Sequence, residues 1–82
     1  MQLIIKFTPA EGALLRILGV IERRGFTFRE LAVRDQEVDG SMTVDLSPRD
    51  PTRDLNVLAR QVARLVDVKS VVIGTPATGL YP

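Results

Sequence analysis

The amino-acid sequence predicts an α+β fold in which four strands form one antiparallel sheet and two helices cover one of its faces. Three observations lead there. Two stretches carry apolar residues at helical spacing, and four stretches read as strands, the first rich in β-branched residues and the first and third alternating in polarity. Their order is strand, helix, strand, strand, helix, strand, with a hairpin between two similar halves.

The first strand is Gln2 to Phe7, where Leu3, Ile5 and Phe7 alternate with Gln2, Ile4 and Lys6, as suits a strand with one face on a core. Thr8, Pro9 and Glu11 then read as a capping box, with Thr8 as N-cap and Pro9 at the first helical position, so a helix is expected from about residue 9. Leu14, Ile17, Leu18 and Ile21 give that helix one apolar face, and Arg16, Glu22, Arg23 and Arg24 fall mostly on the other. Gly25 ends it, because a residue without Cβ takes the left-handed conformation that follows a helix.

Phe26 to Arg34 is the second strand. Phe26 and Phe28 are out of step with Leu31 and Val33, and a bulge near Arg29 and Glu30 would restore the alternation. Asp39-Gly40 is a hairpin signal, after which Met42, Val44 and Leu46 alternate with Thr43 and Asp45 in a third strand antiparallel to the second. Asp50 is placed to cap a second helix with Pro51 at its first position, whose buried face is Leu55, Leu58, Ala59, Val62 and either Leu65 or Val66. Arg53, Arg60 and Arg64 lie outside that face. Val68 to Gly74 is the last strand.

This order is the ferredoxin-like βαββαβ sandwich. A single domain over residues 1–74 is expected, with 75–82 as a loose C-terminal tail that has no periodicity. The sheet face away from the helices should carry Ile4, Val72 and Ala32, and an uncovered, partly apolar face on so small a domain suggests a partner or a dimer.

At 82 residues the core must be thin, and 11 Lys plus Arg against 10 Asp plus Glu leave a net charge of +1, so no global field selects nucleic acid or an anionic membrane. The chain has no Cys, His or Trp, which removes disulfides, thiolate nucleophiles and sulfur-based zinc sites. No apolar stretch approaches the roughly 18 residues of a membrane span, and the N-terminus has no leader pattern; a cytoplasmic domain is expected.

Little catalytic chemistry is available. Ser41, Ser47 and Ser70 occupy no nucleophile-like turn, and Asp35, Glu37 and Asp39 in the hairpin lack the ligand count of a calcium loop. The third strand has no aromatic residue for stacking bases, and the one Phe of the first strand points to the core. A metal carrier of this topology would need a Cys pair where this chain has Thr8 to Gly12. There remains the helix start at Gly12. Unpaired N–H groups in a first turn can receive a carboxylate, but Gly12 is equally explained by the turn from strand to helix, and Glu11 opposes an anion there.

The segment from Glu11 to Val33, EGALLRILGVIERRGFTFRELAV, resembles the opening half of an ACT domain, the small-molecule regulatory module, with its glycine-marked helix start and Arg-Gly-aromatic turn. RRGFTFRELAV and LARQVARLVDVKSVVI further resemble two segments of the small regulatory subunit of acetolactate (acetohydroxyacid) synthase, in the right order and over nearly the whole chain except the tail.

The resemblance implies a non-catalytic subunit that binds and activates the large catalytic subunit in branched-chain amino acid biosynthesis. Thiamine diphosphate, Mg2+ and FAD would be held by the large subunit, and this chain would hold none. It also implies pairing of ACT domains, with valine bound at the dimer interface by the loop before the first helix and by a residue after the Arg-Gly-aromatic turn. Carried over, those positions are Pro9, Glu11, Gly12, Ala13 and Leu14 in the loop and helix start, and Thr27 and Phe28 after the turn. Pro9 and Thr27 stand where the family has asparagines, and Glu11 where it has proline, so the chain looks like the short, valine-insensitive small subunits of the isozyme II type. A free-standing amino-acid sensor acting as a homodimer is the alternative.

Overall fold

The computed structural model describes residues 1–35 and 39–74. The elements follow in the expected order: β1 (Gln2–Phe7), α1 (Ala13–Arg23), β2 (Phe26–Asp35), β3 (Gly40–Pro48), α2 (Leu55–Ala63) and β4 (Val68–Gly74). The four strands form one sheet in the order β2-β3-β1-β4, with every neighbouring pair antiparallel. This is the ferredoxin-like sandwich. The expected tail, Glu37 and the tip of the hairpin lie outside the described residues.

One face of the sheet holds the core. Leu3, Ile5 and Phe7 of β1 and Met42, Val44 and Leu46 of β3 are buried, and Ile17 and Ile21 of α1 and Leu58 and Val62 of α2 join the same cluster. Alternation puts Gln2, Ile4 and Lys6 on the opposite face, beside Thr43 and Ser41, with Val72 paired to Ile4 and Ala32 paired to Thr43. Both helices therefore lie on one side. The bulge in β2 falls where the broken alternation puts it, with the register shifting between Phe28 and Glu30, and Leu31 and Val33 return to the helix side opposite Val44 and Met42.

The starts of both helices differ from the sequence expectation. Thr8 does not cap α1: its N–H donates to the Asp67 carbonyl at 2.7 Å, so the extended chain continues one residue past β1. Residues 10–13 then form a turn closed by Ala13 N–H to the Ala10 carbonyl at 3.0 Å, and Gly12, with φ 78°, is the N-cap. Pro9 and Glu11 thus belong to the loop. In α2, Asp50 closes a turn instead, accepting from the Thr52 N–H at 2.9 Å and from the Thr52 hydroxyl, and Asp54 is the N-cap, accepting from Asn56 N–H at 2.8 Å. The Thr52 hydroxyl, its N–H and Arg53 hold the Asp50 carboxyl below its usual range.

Asp54→Ala should therefore cost about 1 kcal/mol, typical for loss of an N-cap, and Asp50→Ala clearly less. Urea denaturation of the two variants checks the assignment, and the opposite ranking would return the cap to Asp50.

The far end of α1 behaves as expected. Arg24 and Gly25 donate N–H groups back to the Val20 and Glu22 carbonyls, each at 3.0 Å, and Gly25 has φ 91°. Arg49 adds a charged donor, its guanidinium reaching the Glu22 carbonyl at 2.8 Å where the helix dipole is negative. Just past the end of α2, Leu65 packs on the core while Val66 is 91% exposed, which decides between the two. Among the described residues no helix is long and apolar enough to cross a membrane. Gly40 begins β3, paired with Asp35 and Phe7, so Asp39-Gly40 is not the two-residue tip of the hairpin.

Candidate effector site

The loop between β1 and α1 is held by long-range contacts. Thr8 is tied to the Asp67 backbone, and Arg16, one turn into α1, donates from Nε to the Asp67 carboxylate at 3.0 Å and from Nη2 to the Glu11 carbonyl at 3.2 Å. A second Arg16–Asp67 hydrogen bond runs from Nη2. The α2–β4 turn and the β1–α1 loop are thereby clamped together. The Arg16 guanidinium lies over Gly12, where an added Cβ would meet its Nη1 at 2.8 Å.

These contacts explain why residue 12 is glycine. Its positive φ is one that L side chains rarely adopt, and the guanidinium fills the space a side chain would enter. Gly12 offers no side-chain cap, and the Leu14 and Leu15 N–H groups of the first turn meet no acceptor among the described residues. The Glu11 side chain is exposed and does not cap the helix. Ala13 is buried in the core, Leu14 is half-buried against it, and Pro9 is half-buried in the loop.

Thr27 and Phe28 are elsewhere. They pair with Ser47 and Leu46 at one end of the sheet, whereas the Gly12 loop leaves from Phe7, which pairs with Gly40 at the other end. An 11-residue helix, about 16 Å long, separates the two groups. Within one chain the structure brings Pro9, Glu11, Gly12, Ala13 and Leu14 together and leaves Thr27 and Phe28 apart. Arg16 and Asp67, the side chains that shape the loop, were not among the expected site residues; 51 positions apart, they have no local signal linking them.

Among the described residues the remaining polar groups form no reaction centre. Lys6 stands between Ser41 and Ser70 in the strand register but is exposed, unlike the desolvated lysine that would activate a serine. Asp39 pairs with Lys69, and the described residues contain no group of three or more acidic side chains able to hold a metal. A hollow of about 380 Å³ on the open sheet face is lined by Lys6, Ala32, Arg34 and Thr43, and includes neither Gly12 nor Thr27.

A family model described as the ACT domain matches residues 9–71. The chain belongs to the ACT-domain family. The ACT fold is also that of the crystallised ACT domain of the GTP pyrophosphokinase of Chlorobium tepidum, with TM-score 0.74 and 15% identity over 87% of this chain and 91% of that one. The C-terminal domain of the MgtC protein of Mycobacterium tuberculosis is similar, at TM-score 0.65, 18% identity, and coverage of 87% and 80%. Formyltetrahydrofolate deformylase of Burkholderia mallei is also similar, at TM-score 0.66 and 16% identity, where 87% of this chain covers 27% of the deformylase. Among curated proteins none matches the chain. ACT domains are regulatory, non-catalytic modules that generally bind small amino-acid effectors and dimerise.

Proposed function

We propose that this ACT domain is the small regulatory subunit of an acetolactate synthase, a homodimer that binds and activates the large catalytic subunit without responding to valine. The observation that carries this reading is the state of the α1 start. The Arg16 guanidinium lies on Gly12, and the asparagine positions of the family hold Pro9 and Thr27, so the amides at Leu14 and Leu15 have lost the side chains that would orient an amino acid beside them. A module with so reduced a pocket acts by contact. Leu15 and Val66, 75% and 91% exposed and next in sequence to the clamping residues Arg16 and Asp67, supply apolar area for such a contact. Thiamine diphosphate, Mg2+ and FAD belong in this reading to the large subunit.

Mixing the chain with the cognate large subunit should raise acetolactate formation and give a co-eluting complex, with activity unchanged by added valine. No change in rate together with separate elution removes the proposal. The free-standing sensor is favoured by one feature, the two unpaired first-turn amides, which are suited to a carboxylate. Calorimetry with branched-chain and other amino acids distinguishes it: a saturable isotherm in the absence of any partner supports the sensor, and a flat one removes it.

A further inference from the structure

Between α1 and α2 runs a groove of about 400 Å³, lined by Val20, Arg23, Arg24, Gln61, Arg64 and Leu65. Every lining residue belongs to the two helices or to the turns that end them, so the groove opens away from the sheet. Val20 and Leu65 are partly buried against the core and make an apolar floor, and the three exposed arginines make the rim.

Arginines near the end of a helix ordinarily face the carbonyls of its last turn. At α1 that work falls to other groups, since the Glu22 carbonyl accepts from the Arg49 guanidinium and from Gly25 N–H. Arg23 instead folds back along the helix, with Nη1 3.1 Å from where a Cβ on Gly19 would stand. Arg24 reaches across the groove and donates to Gln61 Oε1 at 3.2 Å. None of the three rim arginines forms an ion pair among the described residues. α2 contains no acidic residue, and the one acid of α1, Glu22, lies about 200° around the helix from Val20. Arg60, exposed one turn before Arg64, adds a further positive charge. The helix layer is thus strongly basic on a chain whose net charge is only +1.

We infer that this groove is the docking site for an acidic segment of a partner protein, which lays an aliphatic side chain between Val20 and Leu65 and sets carboxylates against Arg23, Arg24 and Arg64. Guanidinium groups bind carboxylates through paired hydrogen bonds, and three of them spread over two helices suit acids spaced along a chain. A small anion is a poorer fit, because the groove holds no buried polar side chain to orient it. Nucleic acid is poorer still, because no aromatic side chain lines the groove for a base to stack on. The inference rests on the reading above, in which the partner is the large catalytic subunit, and puts that contact on the helix layer. Val66, next in sequence to Leu65 and almost fully exposed, extends the apolar surface beside the basic rim.

The test measures binding of the whole chain to the cognate large subunit by surface plasmon resonance. Arg24→Glu and Arg64→Glu should each weaken binding roughly tenfold, and the double variant R24E/R64E about a hundredfold. Lys6→Glu changes the net charge equally but lies on the open sheet face, and should bind as wild type. Wild-type affinity should fall as NaCl rises from about 0.05 to 0.5 M, with a flatter dependence in R24E/R64E. Circular dichroism verifies folding, and Arg24→Gln and Arg64→Gln, with smaller losses expected, take the place of a reversal that fails to fold. A wild-type chain that does not bind the large subunit overturns the proposed function and this inference together. Binding that ignores the arginine variants, or that Lys6→Glu weakens as much, overturns this inference alone. So do arginine variants that keep the large subunit but lose calorimetric binding of tripolyphosphate, which would give the groove to a free phosphate.

Discussion

Ile17→Ala is expected to lower the unfolding free energy by about 2–5 kcal/mol, the range for removing a large aliphatic side chain from a core that cannot fully collapse. Ile17 has no exposed surface and sits at the middle of the α1 face that packs on the sheet, one turn before Ile21. Eleven residues are too few for a helix to persist alone in water, so α1 depends on this face for its existence. A domain of this size has only about 5–15 kcal/mol in total, and the variant should sit near the edge of folding. Leu15→Ala on the exposed side of the same helix should stay within about 0.5 kcal/mol of wild type. Urea titrations of both check the assignment, and equal losses would mean that α1 does not pack by the Ile17 face.

Gly40→Ala is the second large effect, expected to cost about 1–3 kcal/mol through overpacking. Gly40 stands across from Phe7, and an added Cβ would lie 2.6 to 3.0 Å from three ring carbons of that side chain. The Phe7 ring is buried and cannot swing into solvent, so β1, β3 or the loop after β1 must shift. Gly19→Ala makes the contrast. There an added Cβ approaches only the mobile tip of Arg23 at 3.1 Å, and alanine in a helix is favoured over glycine by up to about 1 kcal/mol. Thermal unfolding should therefore move in opposite directions for the two glycines; a loss for both would point to a backbone cause rather than the Phe7 ring.

Strands and their inward faces were legible in the sequence because alternation is a property of neighbours. The limits of β1 and β4 were evident from it, and the misfit of Phe28 against Leu31 located the bulge that the register shows. Helix starts were not legible. Thr8-Pro9 and Asp50-Pro51 both carry the chemistry of a cap, yet Thr8 is drawn away by the Asp67 carbonyl and Asp50 by Thr52, and the true caps are Gly12 and Asp54. Of the candidate site, the glycine was visible but its cause was not. The Arg16–Asp67 clamp joins residues from opposite halves of the chain, and the distance between Thr27 and the Gly12 loop appears only once the sheet is assembled.

Within this domain the first strand to be synthesised, β1, is an inner strand, flanked by β3 and β4. During synthesis β1 has no neighbour until the chain has reached residue 40, and its other flank stays bare until Val68 to Gly74 has been made. No fragment of the domain that stops short of β4 can close the sheet, and until then β1 is an apolar strand with an unpaired edge, a species prone to association with its own kind. Late closure of the sheet, once β4 has been made, follows from the place of that one strand.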